Sequence, residues 1–183
     1  LGREPVEPIP ELLSANIKDK VVLVSGAGGS IGKELCRQII QQQPSKLILL
    51  EVSEAFLYEI NQELTEFQVE NNTEIPVVPM IGNVQNGMLM TRIFDVQRVQ
   101  TIYHAAAYKH VPMMESNPIE AIKTNVLGTM NVSNTAYMNE VEKFVMVSTD
   151  KAVNPSNVMG ASKRIAEIYT QSFGTVSKTK FIT

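Results

Sequence analysis

The sequence is poor in the residues that form disulfides and transition-metal sites. Its 183 residues include one cysteine, Cys36, two histidines, His104 and His110, and no tryptophan. A single thiol excludes an internal disulfide and any metal cluster built on several cysteines. Two histidines argue against catalytic zinc. We therefore expect no bound metal.

Long apolar runs and excess positive charge are also missing. No run reaches the roughly 18 residues of a membrane span, and the N-terminus lacks a secretory signal pattern. The formal charge of −3 disfavours a surface for nucleic acid or for anionic membrane. With 44% hydrophobic and 19% charged residues, the composition is that of a globular domain. We expect a cytoplasmic domain that binds neither nucleic acid nor, by these residues, a membrane.

The chain divides into a short connector and one domain. Residues 1–19 open with three prolines within ten positions, which predicts an extended linker. Beyond it, apolar runs alternate with helical patterns, and this alternation predicts βαβ units and a doubly wound parallel α/β sheet over residues 20–183. Strands are predicted at 21–24, 47–50, 77–80, 101–103 and 144–147, and helices at 33–42, 118–140 and 157–173. Residues 180–183 resemble the start of a sixth strand, so we expect a truncated chain rather than a naturally short edge strand.

A glycine triplet follows the first predicted strand and opens a helix. Gly26 permits a tight turn, Gly29 lets backbone approach a pyrophosphate, and Gly32 lets the helix pack on the strand. Free N–H groups and the helix dipole favour an anion there. The triplet predicts nucleotide binding, with a purely structural turn as the alternative. A P-loop is rejected because Glu34 stands where a magnesium-binding serine or threonine is needed.

Two polar residues follow the second and third strands. Glu51 is placed to accept hydrogen bonds from an adenosine ribose and to repel a 2′-phosphate, and no Lys or Arg occurs in residues 52–60. This favours NAD, with NADP as the alternative. Glu51 could instead start a helix capped by Ser53. Asn83 is either a contact to adenine or a turn residue.

Three further stretches come together if the sheet is parallel, because the carboxyl ends of its strands share one edge. Three alanines follow the fourth strand and leave room for a ligand, unless they simply begin a helix. A polar run follows the fifth strand, and its alternative is a solvated turn. Met159 and Lys163 are four apart, hence on one helical face. His104 is interpreted as a structural hydrogen-bonding residue rather than a base.

These stretches resemble the extended short-chain dehydrogenase/reductase superfamily, in its polysaccharide-biosynthesis branch of nucleotide-sugar 4,6-dehydratases. The likeness is carried by residues 24–32, 104–115 and 147–164, and is greatest to the large membrane-anchored UDP-N-acetylglucosamine 4,6-dehydratases. It implies a Rossmann-like sheet of order 3-2-1-4-5-6 with helices on both faces. It also implies that the C-terminal substrate-binding part is missing, and that the full-length protein is anchored in the inner membrane by segments outside this chain.

The resemblance also implies residue roles. Thr149 takes the hydroxyl position and Lys163 the lysine position of the superfamily's Ser/Thr–Tyr–Lys triad, while Met159 stands where tyrosine is usual. Cofactor contacts are expected from Gly26, Gly29, Ser30, Ile31, Gly32, Glu51, Asn83, Val84, Ala105, Ala106, Ala107, Ser148 and Lys163. Contacts to the UDP-sugar substrate are expected from Lys109, Glu115 and Asn125, each with a plain surface or capping role as the alternative.

The implied reaction moves a hydride from C4 of the sugar to NAD, eliminates water across C5–C6 and returns the hydride to C6. By family analogy Asp150 is the acid and Lys151 the base of the elimination. Asp150 must then be protonated and Lys151 neutral, which predicts a dry site. Met159 has no ionisable proton, so Lys163, Lys151 or a water must deprotonate the 4-hydroxyl.

Two other functions compete with the dehydratase. One is a nucleotide-sugar epimerase or reductase on the same fold, and the other is a non-catalytic NAD-binding module. We expect this chain alone to be inactive. Helices over residues 118–140 and 157–173 are expected, by analogy, to pair with a second copy in a homo-oligomer.

Overall fold

The computed structural model describes the backbone of residues 10–183 and the side chains from residue 14 onward. Six parallel strands form one sheet in the order β3-β2-β1-β4-β5-β6. The strands are β1 (Val21–Ser25), β2 (Lys46–Glu51), β3 (Val77–Ile81), β4 (Thr101–His104), β5 (Lys143–Met146) and β6 (Lys180–Ile182). This order confirms the predicted doubly wound, Rossmann-like fold.

Eight α-helices occur in the described residues, and a π-helix and two 3₁₀ turns accompany them. The α-helices are α1 (Pro10–Ile17), α2 (Ser30–Gln41), α3 (Glu54–Glu70), α4 (Gly87–Gln97), α5 (Val111–Ser116), α6 (Pro118–Ala121), α7 (Thr129–Met138) and α8 (Val158–Ser172). The π-helix spans Ile122–Gly128, and the 3₁₀ turns span Asp150–Ala152 and Phe173–Thr175. In the part of the chain that is described, no helix has the length and hydropathy to cross a bilayer.

The strands are apolar on both faces because each face packs against helices. In β1, Val22 and Val24 join one cluster with Cys36 of α2 and Ile60 of α3. Leu23, between them, belongs to a second cluster on the opposite face, with residues of α4, α7 and α8. Alternate residues of a strand point to opposite faces, so continuous apolar runs are what a sheet buried on both faces requires.

The segment predicted to be a linker is partly helical. Residues 1–9 of that segment lie outside the described residues, but α1 occupies Pro10–Ile17. Ile17 is buried among the residues of α2 and α3, and the hydroxyl of Thr101 donates to the Asn16 carbonyl at 2.9 Å. The physical reason for the difference is burial of an apolar side chain, which the proline-rich composition upstream did not reveal. The described end of this segment is part of the core.

The long helix predicted at 118–140 is divided into three parts. It begins at Pro118 as expected, but the Asn117 amide donates to the Met113 carbonyl at 2.9 Å instead of capping the helix. Between α6 and α7 the π-helix inserts an extra residue per turn. Asn125, fully buried, lies inside this π-helix. Such insertions often mark functional sites.

Candidate functional site at the carboxyl edge of the sheet

A first cleft of about 280 Å³ lies where β1, β2, β3 and β4 end. Residues of three predicted cofactor stretches line this cleft: the glycine turn, the end of β2 and the alanine run. The lining comprises Gly26, Gly29, Leu50, Glu51, Val52, Phe56, Gly82, Asn83, Val84, Ala105, Ala106, Ala107, Tyr108 and Thr124. Strand order reverses beside β1, which is where ligands bind in sheets of this type.

The glycines of the turn have two different physical roles. Gly26 has a φ of 70°, which side-chain-bearing residues rarely adopt, and a Cβ there would lie 2.7 Å from the backbone of Ala106. A Cβ on Gly32 would lie 1.9 Å from the Gly26 oxygen. Packing alone therefore requires glycine at both positions. A Cβ on Gly29 would meet only the Gly26 oxygen, at 3.3 Å, so this glycine chiefly keeps backbone open toward the cleft that it lines.

The N-terminus of α2 presents a positive environment. Its N-cap is Gly29, and no side chain caps the first N–H groups, so they can bind an anion. The Lys109 ammonium donates to the Ser30 hydroxyl at 2.9 Å. Helix dipole and ammonium thus act on the same region. Lys109, expected to contact the sugar nucleotide, lies beside the glycine turn as well as in the second cleft described below.

The Glu51 carboxylate is fixed by three backbone N–H groups. Gly28 donates to Oε2 at 3.0 Å, and Val52 and Ser53 donate to Oε1 at 2.9 and 3.0 Å. Glu51 is 7% exposed and still lines the first cleft. Ser53 is the N-cap of α3, accepting from Phe56. The cleft position of Glu51 and the capping role of Ser53, posed as alternatives, therefore coexist.

Asn83 makes a turn hydrogen bond and also lines the first cleft. Its side-chain oxygen accepts from the Gln85 N–H at 2.9 Å, as in a turn, and the residue lines the first cleft beside Val84. The turn hydrogen bond holds the amide group in place at the cleft wall.

A second cleft of about 550 Å³ adjoins the first. The two share Ala105, Ala107 and Tyr108 as lining residues. The remaining walls of the second cleft come from α2, the loop after β4, the end of β5 and α8. They comprise Ile31, Lys109, His110, Val111, Pro112, Val147, Ser148, Thr149, Lys151, Met159 and Lys163.

Lys163 is the most buried ionisable group of the second cleft. It is 5% exposed, and its ammonium donates to the Val147 carbonyl at 2.7 Å. Burial lowers the pKa of Lys163 from 10.5 to about 8, and the Glu167 carboxylate opposes that shift. Met159, one turn earlier on α8, is also buried and packs with Met114 and Ala121. Its thioether therefore both fills the core and borders the cleft.

Asp150 and Lys151 do not form the dry pair that their proposed acid and base roles require. Their side chains are 90% and 52% exposed, and Lys151 Nζ lies 3.6 Å from Asp150 Oδ1. A hydrogen bond from Thr149 and the charge of Lys151 hold the pKa of Asp150 below its usual value. Lys151 lines the second cleft, whereas Asp150 lines neither cleft. Within the described residues nothing covers this pair, which is the physical reason for the difference.

Ser148 connects the polar run after β5 to α8. Its hydroxyl donates to Glu167 Oε1 through a short hydrogen bond. The other oxygen of Glu167 accepts from Arg164 Nη1 at 3.0 Å. This pair of contacts ties the start of the run that carries Thr149 to the helix that carries Lys163.

Asn125 and Glu115, expected to touch substrate, are both engaged by other parts of the chain, Asn125 in the buried interior and Glu115 at the exposed start of α8. Asn125 accepts from the Tyr108 N–H at 2.8 Å and donates to the Tyr108 carbonyl and the Ser162 hydroxyl. Glu115 accepts from the Val158 N–H at 2.7 Å and so caps α8. In this chain both side chains position the loop after β4 and α8, and neither lines a cleft. Ser30, Gly32 and Asp150 are the other proposed site residues outside both linings.

His104 lies in a buried hydrogen-bond chain. The Ser25 hydroxyl lies 2.6 Å from Nδ1, and Nε2 lies 3.0 Å from Thr129 Oγ1. Thr129 donates its single hydroxyl proton to the Asn125 carbonyl at 2.7 Å, so we assign the imidazole proton to Nε2. Burial, and secondarily the charge of Lys163, lowers the pKa of His104 to about 3. The ring is neutral and links the end of β1 to the π-helix.

Several cleft residues were not foreseen from the sequence. Tyr108 lines both clefts, and Phe56 and Thr124 line the first. Tyr108 directly follows the alanine run, so the spacing could have indicated it. Phe56 and Thr124 lie inside ordinary helical patterns, and no local signal distinguishes them.

The family model of polysaccharide biosynthesis proteins matches residues 22–183. The chain belongs to this family. It is 51% identical over 183 residues, all of the chain and 30% of the relative, to the capsular polysaccharide biosynthesis protein CapD of Staphylococcus aureus. It is 35% identical over 146 residues, 79% of the chain and 40% of the relative, to a UDP-N-acetylglucosamine 4,6-dehydratase (inverting) of Campylobacter jejuni. Over 152 residues, 81% of the chain and 42% of the relative, it is 36% identical to a UDP-glucose 4-epimerase of Rickettsia bellii.

Solved structures share the fold. Pen from Bacillus thuringiensis superposes with a TM-score of 0.80 at 32% identity, over 91% of this chain and 51% of that one. The dTDP-glucose 4,6-dehydratase DesIV of Streptomyces venezuelae superposes with a TM-score of 0.72 at 21% identity, over 85% and 52% of the two chains. These findings confirm the predicted Rossmann-like fold. This family member spans 30% to 42% of the length of the three relatives named above.

Proposed function

We propose that residues 20–183 are the NAD-binding domain of a nucleotide-sugar 4,6-dehydratase that acts on UDP-N-acetylglucosamine in the synthesis of bacterial surface polysaccharide. One observation carries the proposal: Thr149, Lys151 and Lys163 line a cleft that shares walls with the cleft of the glycine turn. A dinucleotide lying across both clefts would bring its reactive end to these three polar residues. Relatives named as UDP-sugar enzymes support the class of substrate.

The residues of the first cleft fit NAD. Gly29 leaves backbone open beside an uncapped helix N-terminus, which suits a pyrophosphate. The Glu51 carboxylate is anchored at the cleft wall by three N–H groups, so it cannot withdraw from a 2′-phosphate without losing them. This geometry favours NAD over NADP. DesIV, which shares the fold, was solved with NAD bound.

Bound NAD would supply a hydride acceptor for C4 of the sugar and a hydride donor for C6. The chain's own residues would position the sugar and move protons. Thr149 lines the cleft, and we assign to it a hydrogen bond with a sugar hydroxyl. Lys151 is the candidate base at C5, and Asp150 the candidate acid at the 6-hydroxyl. Both need an environment drier than the one seen here, and we propose that further parts of the full-length protein cover them.

The dehydratase is tested by its product. Full-length protein is incubated with UDP-N-acetylglucosamine, and the product is identified by NMR. A 4-keto-6-deoxy sugar nucleotide is expected. A simple 4-epimer would instead establish the second candidate, an epimerase, and recovery of unchanged substrate would leave a non-catalytic NAD-binding module.

Matched lysine variants sharpen that test. Lys151→Ala should abolish dehydration, because it removes the candidate base at C5 from the lining of the second cleft. Lys178→Ala is the control, since Lys178 is an exposed lysine paired with Glu140 away from both clefts. Unchanged turnover in Lys151→Ala would remove that residue from the mechanism.

We also propose that the domain forms homo-oligomers through α6, the π-helix, α7 and α8, within residues 118–140 and 157–173. Apolar side chains on this surface are exposed in the single chain, including Ile119, Leu127, Tyr137, Met138, Ile165 and Ile168. Covering such a surface is favourable, and large exposed apolar patches mark interfaces. Sedimentation at several concentrations tests the proposal, with a monomer at all concentrations as the contrary result.

A further inference from the structure

A proton acceptor for the 4-hydroxyl is missing from the expected position. Met159 stands there, and its thioether cannot take a proton. It is buried against Met114 and Ala121, so its place in the structure is explained by packing. Some other group in the second cleft must accept the proton if the proposed reaction is correct.

Two lysines of the second cleft differ in their surroundings. Lys151 is half exposed, and its ammonium lies 3.6 Å from the Asp150 carboxylate. Lys163 is 5% exposed and uses one N–H to bond the Val147 carbonyl. A neutral Lys163 amine would keep a second N–H and its lone pair for the cleft.

We propose that Lys163 itself accepts the proton of the sugar 4-hydroxyl, and that Ser148 and Arg164 are positioning residues that hold the Glu167 carboxylate away from it. The first part rests on the dehydratase proposed above. The second part concerns this chain alone and can be tested without any reaction.

The contacts of Glu167 explain how a lysine four residues away on α8 stays unpaired. One carboxylate oxygen accepts from the Ser148 hydroxyl and the other from Arg164 Nη1. Within residues 14–183, no carboxylate oxygen makes an ion pair with Lys163 Nζ. Arg164 forms an ion pair with Glu167 at 3.0 Å, and this positive charge opposes the effect of the Glu167 carboxylate on Lys163.

The other titratable groups around Lys163 favour its neutral form. Lys109 and Lys151 line the same cleft, and ammonium groups there disfavour another ammonium. His104, on β4, is buried and neutral. Desolvation by burial lowers the pKa of Lys163 to about 8.

The proton transfer balances without a further reactant beyond NAD. The O–H bond of the 4-hydroxyl breaks, its proton forms a third N–H bond on the neutral Lys163 amine, and its electron pair forms the C4=O bond. The C4 hydride leaves with the electron pair of the C–H bond, so the sugar is oxidised and the nicotinamide reduced. The ammonium then hydrogen-bonds the ketone or returns the proton in the later steps.

The electrostatic part is tested by NMR titration of this chain labelled with ¹³C at the lysine Cε atoms, with Lys163→Arg assigning the signal. We expect Lys163 to titrate near pH 8. Arg164→Gln should raise the midpoint by roughly half a unit to one unit, because the Glu167 charge then acts in full. Glu167→Gln should lower it. Arg37→Gln is the matched control, an exposed arginine with an i,i+3 glutamate partner on α2.

Two results would overturn the electrostatic part. One is a Lys163 midpoint near the ordinary 10.5. The other concerns the shift of the Lys163 midpoint in Arg164→Gln. That shift would contradict the proposal if it were no larger than the shift in Arg37→Gln, or if it had the same sign as the shift in Glu167→Gln. Ser148→Ala gives a second check. It also frees the Glu167 carboxylate, so it should shift the Lys163 midpoint upward.

The catalytic part is tested in full-length protein by the pH dependence of kcat/KM. Its acidic limb should coincide with the Lys163 midpoint and move upward in Arg164→Gln. If the product is the 4-keto-6-deoxy sugar but Arg164→Gln does not move the acidic limb of kcat/KM, the proposed role of Lys163 is wrong and the dehydratase proposal stands. If the product is an epimer, the dehydratase is wrong while the titration result stands.

Discussion

Lys163 carries a cost in stability that can be measured directly. The residue is nearly inaccessible, and its pKa falls from 10.5 in the unfolded reference to about 8 in the fold. Between these two pH values the unfolded chain binds more protons than the folded one, so stability rises with pH across that window. Replacing Lys163 by methionine removes the titration and keeps a side chain of similar length.

The magnitude follows from the shift in pKa. One pKa unit corresponds to about 1.4 kcal/mol, so the buried ammonium costs roughly 3 kcal/mol at pH 7 and only about 1 kcal/mol at pH 10. Loss of the Val147 hydrogen bond offsets part of the gain in Lys163→Met, by about 1 to 3 kcal/mol. That offset changes little with pH, because Lys163→Met loses the same hydrogen bond at every pH.

The assay is urea unfolding of this chain and of Lys163→Met at several pH values between 7 and 10. The stability of the variant relative to the original chain should fall by roughly 2 to 3 kcal/mol over that range. Lys178→Met, at an exposed lysine, serves as the control and should show no such trend. If the difference in free energy of unfolding between Lys163→Met and the original chain stays constant with pH, the inference that Lys163 is buried and easily neutralised is refuted.

Two other predictions concern the glycine turn and the single cysteine. Gly32→Ala should cost more than about 2 kcal/mol or prevent folding, because its Cβ would overlap the Gly26 oxygen. Gly29→Ala should cost less than about 1 kcal/mol yet weaken NAD binding roughly tenfold, which urea unfolding and calorimetry would separate. Cys36, buried with its pKa raised to about 12, should react with a thiol reagent only as fast as the chain opens.

The sheet and the glycine turn were accessible from the sequence because local patterns determine them. Short apolar runs without polar alternation are typical of strands covered on both faces, and β1 and β2 have that pattern. The turn at Gly26 needs a positive φ and a close backbone approach, which glycine alone supplies without strain. Both features are properties of short segments.

The parts that sequence reasoning missed depend on distant partners. Glu115 caps a helix that begins 43 residues later, and no spacing rule reveals that contact. The apolar residues of the segment 118–140 recur at helical spacing whether the helix is α or π, so the insertion around Asn125 was invisible. The exposure of Asp150 and Lys151 depends on what covers them, which the local run of polar residues does not encode.

The central claim is that the two clefts form one dinucleotide site, and titration of the ¹⁵N-labelled chain with NAD tests it most directly. We predict that amide signals of Gly29 and Glu51 in the first cleft and of Thr149 and Lys163 in the second move together, with one dissociation constant. Movement confined to one cleft, or no movement at NAD concentrations that saturate full-length protein, would contradict the claim.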